Sequence, residues 1–179
     1  MFTGSYVHLA GGAVFTLLLL AGCVWDLRTR RIPNELVAAI LGTGWLFALY
    51  SPDAVRALGL SLAGTAIGFG IWIGFYLLGA IGAGDVKFFA AAGAWLGPGA
   101  TWRAALIAAV VGGVLAVAYL LVEKRLGGVL RRMALAASSG SLAAIPGQSV
   151  VSGGRHRPLP YGVALAIGAL IAAWVPRLS

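Results

Sequence analysis

The stretch VHLAGGAVFTLLLLAGCVWDLRTRR, Val7 to Arg31, decides what kind of fold this chain can adopt. From Val7 to Trp25 it holds no Asp, Glu, Lys or Arg. A helix of that length, at ~1.5 Å per residue, reaches across most of the hydrocarbon core of a bilayer. It closes on Asp26, followed at once by Arg28, Arg30 and Arg31. A secretory signal carries its positive charge before the apolar part, and no Lys or Arg precedes Val7, so the run is a retained span.

The rest of the chain has the same character. Its 179 residues are 60% hydrophobic and 10% charged, with a mean hydropathy of +0.95. Such values belong to an integral membrane protein and exclude an ordinary soluble domain. The net charge of +8 is explained by Lys and Arg anchoring cytoplasmic loops, so no nucleic acid partner is expected. Cys23 is the single cysteine, which excludes an internal disulfide and a multi-cysteine zinc site and leaves it as a small apolar residue in a span. His8 and His156 fall too far apart to pair, and neither a metal nor a cofactor is expected.

The expected fold class is all-α, a polytopic membrane helix bundle forming one domain over residues 1–179. Apolar runs predict about six transmembrane helices, near 7–25, 35–50, 55–80, 86–97, 102–122 and 160–176. The fourth is short enough to be re-entrant. If all six cross, Arg28, Arg30, Arg31, Lys87, Lys124, Arg125, Arg131, Arg132, Arg155 and Arg157 share one face, and only Arg56, Arg103 and Arg177 the other. The positive-inside rule makes the first face cytoplasmic and puts both termini outside. A re-entrant fourth segment would erase that asymmetry, so the charges favour six crossings.

Local signals fit these limits. Pro33 and Asn34 suit the first turn and cap of the second helix, and the Ser51-Pro52-Asp53 turn leads the chain into the third. The third helix carries GTAIG (Gly64 to Gly68) and GIWIG (Gly70 to Gly74), a spacing that lets another helix approach closely in lipid, although glycine is also common in membrane helices generally. Residues 123–159 form the long polar segment. In it Leu126, Leu130, Met133 and Ala137 share a helical face opposite Lys124, Arg125, Arg131 and Arg132, which suits either a short helix on the anionic cytoplasmic surface or a solvated loop.

Among the five acids, Asp26 and Asp85 draw the functional reading. Asp26 ends the first span and Asp85, in GAGDVK (Gly82 to Lys87), ends the third, so an even number of crossings brings both to the cytoplasmic face. An acid in apolar surroundings is expensive and marks function by default. Two neighbouring carboxylates hold one proton between them, the state an aspartic protease uses: one activates water, the other polarises the scissile carbonyl and later protonates the leaving amine. Gly82 and Gly84 leave a bare backbone against which an extended peptide can lie. The plain alternative is a pair of interfacial acids matched with nearby Arg and Lys.

The segments DLRTRRIPN (Asp26 to Asn34), GAGDVK (Gly82 to Lys87) and PYGVALAIG (Pro160 to Gly168) resemble, in the same order, the three signatures of the type IV prepilin peptidases, GxGD-type membrane aspartyl proteases. The resemblance runs from about residue 7 to 172. It implies a helical membrane fold in the bacterial inner membrane and Asp26 and Asp85 as catalytic pair. Gly82, Gly84, Lys87, Pro33 and Asn34 become supporting motif residues, and prepilin or pseudopilin precursors become substrates. Tyr161 and Gly162, opening the last helix, then wall the site. Lys87 either supports the glycine loop, biases the carboxylate, or snorkels as an anchor. Longer members insert a CxxC-bearing domain after the first span and add N-methylation. The short loop from Arg28 to Arg31 and the single cysteine have no place for that domain, so the chain resembles the short peptidase-only form of tight-adherence (Flp-type) pilus systems.

Two rivals remain open. A proton-coupled transporter or channel could use the two Asp as a relay, although both acids lie at one face and no polar path crosses the bilayer. The signal-peptide-peptidase and presenilin type shares GxGD, but its chains are longer and its first acid stands in a different motif.

Overall fold

The computed structural model describes residues 6–29, 31–122 and 161–175. Five helices are defined: α1 (Tyr6–Thr29), α2 (Asn34–Leu49), α3 (Ala54–Leu77), α4 (Ala83–Val122) and α5 (Tyr161–Trp174). No strand occurs among the described residues. Leu9–Thr29, Ala54–Leu77 and Ala83–Ala118 are long and apolar enough to cross a membrane. With the shorter apolar α2 and α5 they form a helical membrane bundle.

The largest element, α4, is folded back on itself. Gly97 breaks the helix with φ 68° and ψ 173°, a conformation that costs glycine little. Pro98 follows, which supplies no N–H and disfavours a helical residue before it. Thr101 restarts the helix with its hydroxyl donating to the Gly97 carbonyl at 2.7 Å. In one straight rod Phe89 and Gly112 would stand roughly 35 Å apart. Instead Trp72 of α3 meets both Phe89 (5.8 Å between ring centroids) and Tyr161 of α5 (6.3 Å), and the Tyr161 phenol fills the space beside Gly112. Residues 83–96 and 98–122 are therefore the antiparallel arms of a hairpin, matching the fourth and fifth helices expected from the apolar runs.

Close backbone contact holds this hairpin to its neighbours. A methyl at Gly64 of α3 would overlap the Gly93 carbonyl and stand 2.9 Å from Gly97 Cα, and one at Gly68 would stand 3.1 Å from Ala90 Cα. The Ser61 hydroxyl donates to the Ala94 carbonyl at 2.6 Å. The first small-residue pair thus does pack helices, whereas Gly70 and Gly74 face open space. On the other side, Gly168 of α5 lies against Ala104 and Ala108 of the second arm. Trp95 ties three helices together: its ring stacks between Phe15 of α1 (5.4 Å) and Phe47 of α2 (5.3 Å), and its indole N–H donates to the Ile40 carbonyl at 2.8 Å.

Several boundaries differ from expectation. α1 runs on past Trp25 through Thr29, so Asp26 lies inside the helix instead of ending it. α3 stops at Leu77, and Gly79, with φ 71°, turns the chain out. Asp85 consequently belongs to the first turn of α4, not to the end of the third helix, and Gly84 is helical too. Pro33 takes the cap position of α2 with no side-chain cap, and Asn34 is the first helical residue. Asp53 does cap α3, accepting from the Arg56 N–H at 3.2 Å. The segment expected to be polar, 123–159, lies outside the described residues, as do both chain termini.

Candidate active site

Asp26 and Asp85 lie near one another at one end of the bundle. Asp26 is only 6% exposed, one of the few charged or polar side chains buried among the described residues. Its carboxylate lies within direct electrostatic reach of Asp85. The register follows from a contact one turn deeper: Phe88 of α4 fills the space at Gly22 of α1. Asp26 follows Gly22 by four residues and Asp85 precedes Phe88 by three, so each pair shares a helix face and the acids come level.

Each carboxylate is also held from its own side. Gly82 takes the cap position of α4, and its N–H donates to Asp85 Oδ2 at 3.3 Å, while its carbonyl accepts from the Asp85 N–H at 3.1 Å. This is one half of a capping box, the third helical residue reaching back to the cap N–H; glycine has no side chain for the other half, and its carbonyl takes the Asp85 N–H instead. The Gly162 N–H of α5 donates to Asp26 Oδ2 at 3.1 Å. Tyr161 stands within reach of the charge of Asp85, and the Cys23 thiol within that of Asp26. Beneath Tyr161, the indole N–H of Trp72 is buried with no hydrogen-bond partner among the described residues.

The supporting motif residues divide into two groups. Gly84 packs toward Ile32, whose N lies 3.9 Å from the place a Cβ would take, so the first turn of α4 in the second signature approaches the loop of the first. Pro33 stands behind Ile32 and closes the first turn of α2, its carbonyl accepting from the Val37 N–H at 3.2 Å. Lys87 lies elsewhere. Two residues from Asp85 on a helix, it faces away from that carboxylate, and with Asn34 it lines a groove of about 300 Å³ among α2, α3 and α4 that holds neither acid. The structure offers no contact through which Lys87 would bias Asp85.

Sequence reasoning did not assign the Gly162 amide its hold on Asp26, although the third signature pointed at the right dipeptide. Trp72 was missed outright, and nothing in an apolar helix rich in aromatic residues singles it out.

What the fold and the site define is a helical membrane protein with two acids brought near one another at one end, among residues from three distant parts of the chain. The type IV leader peptidase family matches residues 13–117, and this chain belongs to that family. It is 35% identical over 103 residues to a Klebsiella pneumoniae protein named prepilin leader peptidase/N-methyltransferase, covering 55% of this chain and 43% of that one. It is 33% identical over 114 residues to an Escherichia coli type 4 prepilin-like proteins leader peptide-processing enzyme, covering 58% and 41%. The leader peptidase HopD of Escherichia coli is 27% identical over 183 residues, covering 93% of this chain and 97% of that one. The chain spans less than half the length of the first two. No solved structure matches it.

Proposed function

We propose that this chain is a membrane-embedded aspartic endopeptidase that removes the short basic leader from prepilin-like precursors at the cytoplasmic face of the bacterial inner membrane. The observation that supports the reading is that Asp26 and Asp85, far apart in sequence, come within electrostatic reach of each other, with Asp26 buried and each carboxylate held by a backbone N–H. Such a pair holds one proton between them.

In the cycle, the ionised carboxyl takes a proton from water as its oxygen attacks the scissile carbonyl carbon, and the protonated carboxyl polarises the carbonyl oxygen. Collapse breaks the C–N bond, a proton passes to the leaving amine, and the dyad is left with one proton as it began. The leader, being basic, remains in the cytoplasm while the apolar segment behind it enters the bilayer, which brings the bond to the depth of the acids. Six crossings, with both termini outside, accord with the Lys and Arg distribution. Cleavage without methylation is the proposed activity, since the connection from α1 to α2 spans only residues 30–33.

Purified protein incubated with a pilin precursor in detergent or liposomes tests this. Release of the leader at the junction of its basic and apolar parts is expected. An intact precursor, under conditions where the protein remains folded, overturns the reading.

A further inference from the structure

α5 contributes no acid, yet it begins where the two acids meet. Its Gly162 N–H donates to Asp26 Oδ2 at 3.1 Å in a buried setting. A methyl at Gly162 would stand 2.8 Å from that oxygen, 3.1 Å from Cγ and 3.3 Å from Cβ of Asp26. Neither partner can easily retreat. Asp26 lies within α1. α5 is locked along its length by Gly168, where a Cβ would lie 2.5 Å from the Ala104 carbonyl and 2.8 Å from Ala108 N. The start of α5 is fixed as well, because Tyr161 is wedged between Trp72 and Gly112. A side chain at 162 must therefore push the carboxyl group of Asp26 aside.

We propose that Gly162 is a positioning residue for the hydrolysis: its amide orients the Asp26 carboxyl toward Asp85, and the absence of a side chain at 162 is a condition for the two acids to meet. This rests on the dyad reading given above. Tyr161 is part of the same device, since the ring anchored on Trp72 holds the peptide group whose N–H reaches Asp26. The chemistry explains the demand for such a hold. A shared proton and an attacking water require fixed carboxyl geometry, and a displacement on the order of 1 Å costs about 100-fold in rate.

Six full-length variants in detergent test this: Gly162→Ala, Asp26→Ala, the double variant of these two, Gly168→Ala, which crowds the same helix far from the acids, Gly168→Ala combined with Asp26→Ala, and Asp26→Asn. Leader-cleavage kinetics and thermal unfolding midpoints are measured for each. Gly162→Ala is expected to lose about 100-fold in kcat with little change in KM, and to unfold at a lower temperature. In the double variant the added methyl meets only the Cβ of residue 26, so the midpoint should return to that of Asp26→Ala alone. Gly168→Ala should lower the midpoint with no such recovery when combined with Asp26→Ala. If Gly162→Ala fails to accumulate, recovery of accumulation in the double variant supports the inference, and failure to recover overturns it. A wild-type kcat in Gly162→Ala, while Asp26→Asn is inactive, also overturns it and leaves the dyad intact. Full activity in Asp26→Asn instead removes the dyad reading itself, and this inference with it.

Discussion

Phe88 occupies the space that a side chain at Gly22 would need, with ring carbons 2.5 and 2.8 Å from the Cβ position. The ring is 1% exposed and acts as the spacer between α1 and the first arm of α4, setting Asp26 level with Asp85. Phe88→Ala should cost about 3–5 kcal/mol of stability, the usual range for emptying a buried aromatic site, and should lower cleavage beyond the loss of folded protein. Thermal unfolding and cleavage assays on the same preparation check this. A normal rate per folded molecule would mean that other contacts set the register.

Asp26 and Asp85 should behave as one unit. Asn at either position keeps an acceptor oxygen for the Gly162 or Gly82 amide, so both variants should insert and fold. Each should nonetheless reduce cleavage to background, and the double variant should be scarcely worse, since little catalysis is left for the second change to remove. Substantial activity in Asp26→Asn alone would make Glu35, in the first turn of α2, the next acid to test.

The rate should fall on both sides of a pH optimum. Below it both carboxyls are protonated and none can activate water; above it both are ionised and none can donate to the carbonyl. A rate that climbs steadily with alkali and vanishes on chelation would point to a metal-bound hydroxide.

Glycines on one helix should differ sharply in tolerance. Gly64→Ala places a methyl against the Gly93 backbone, which cannot swing away as a side chain would, and should destabilise by about 2 kcal/mol or more. Gly70→Ala meets nothing within 4 Å and should change stability by less than about 0.5 kcal/mol. Unfolding midpoints of the two variants decide the matter, and equal effects would refute the close packing of α3 on α4.

The membrane face of the site can be read by labelling. Cysteines placed singly at Thr29 and Ser139 in a Cys23→Ala background should resist an impermeant thiol reagent added to intact cells and react once the membrane is opened. Reaction of both from outside would invert the topology.

The helices were legible in the sequence because lipid imposes a simple rule: apolar runs of a set length, closed by charge, glycine or proline. The short run expected at 86–97 ended where α4 folds back, although the part played by Pro98 showed only in the structure. The acids were legible for a related cause, since a carboxylate bordering an apolar run has few structural uses. What could not be read was orientation around each helix axis. Lys87 sits two residues from Asp85, yet a step of two turns it away to a groove beside Asn34. The two glycine pairs of α3 look alike as strings, but only Gly64 and Gly68 meet a partner. The reach of the Gly162 amide to Asp26 is a matter of three-dimensional docking between segments that share no local pattern.

That same hydrogen bond joins positions 136 residues apart in the chain. During synthesis α1 leaves the ribosome before the other described helices and α5 after them, so the first acid waits in the membrane through the emergence of all of them before its partner amide arrives. The newborn chain thus carries both acids well before the amide that holds the first of them has left the translation machinery, so the completed arrangement of Asp26 waits on the last of the described helices.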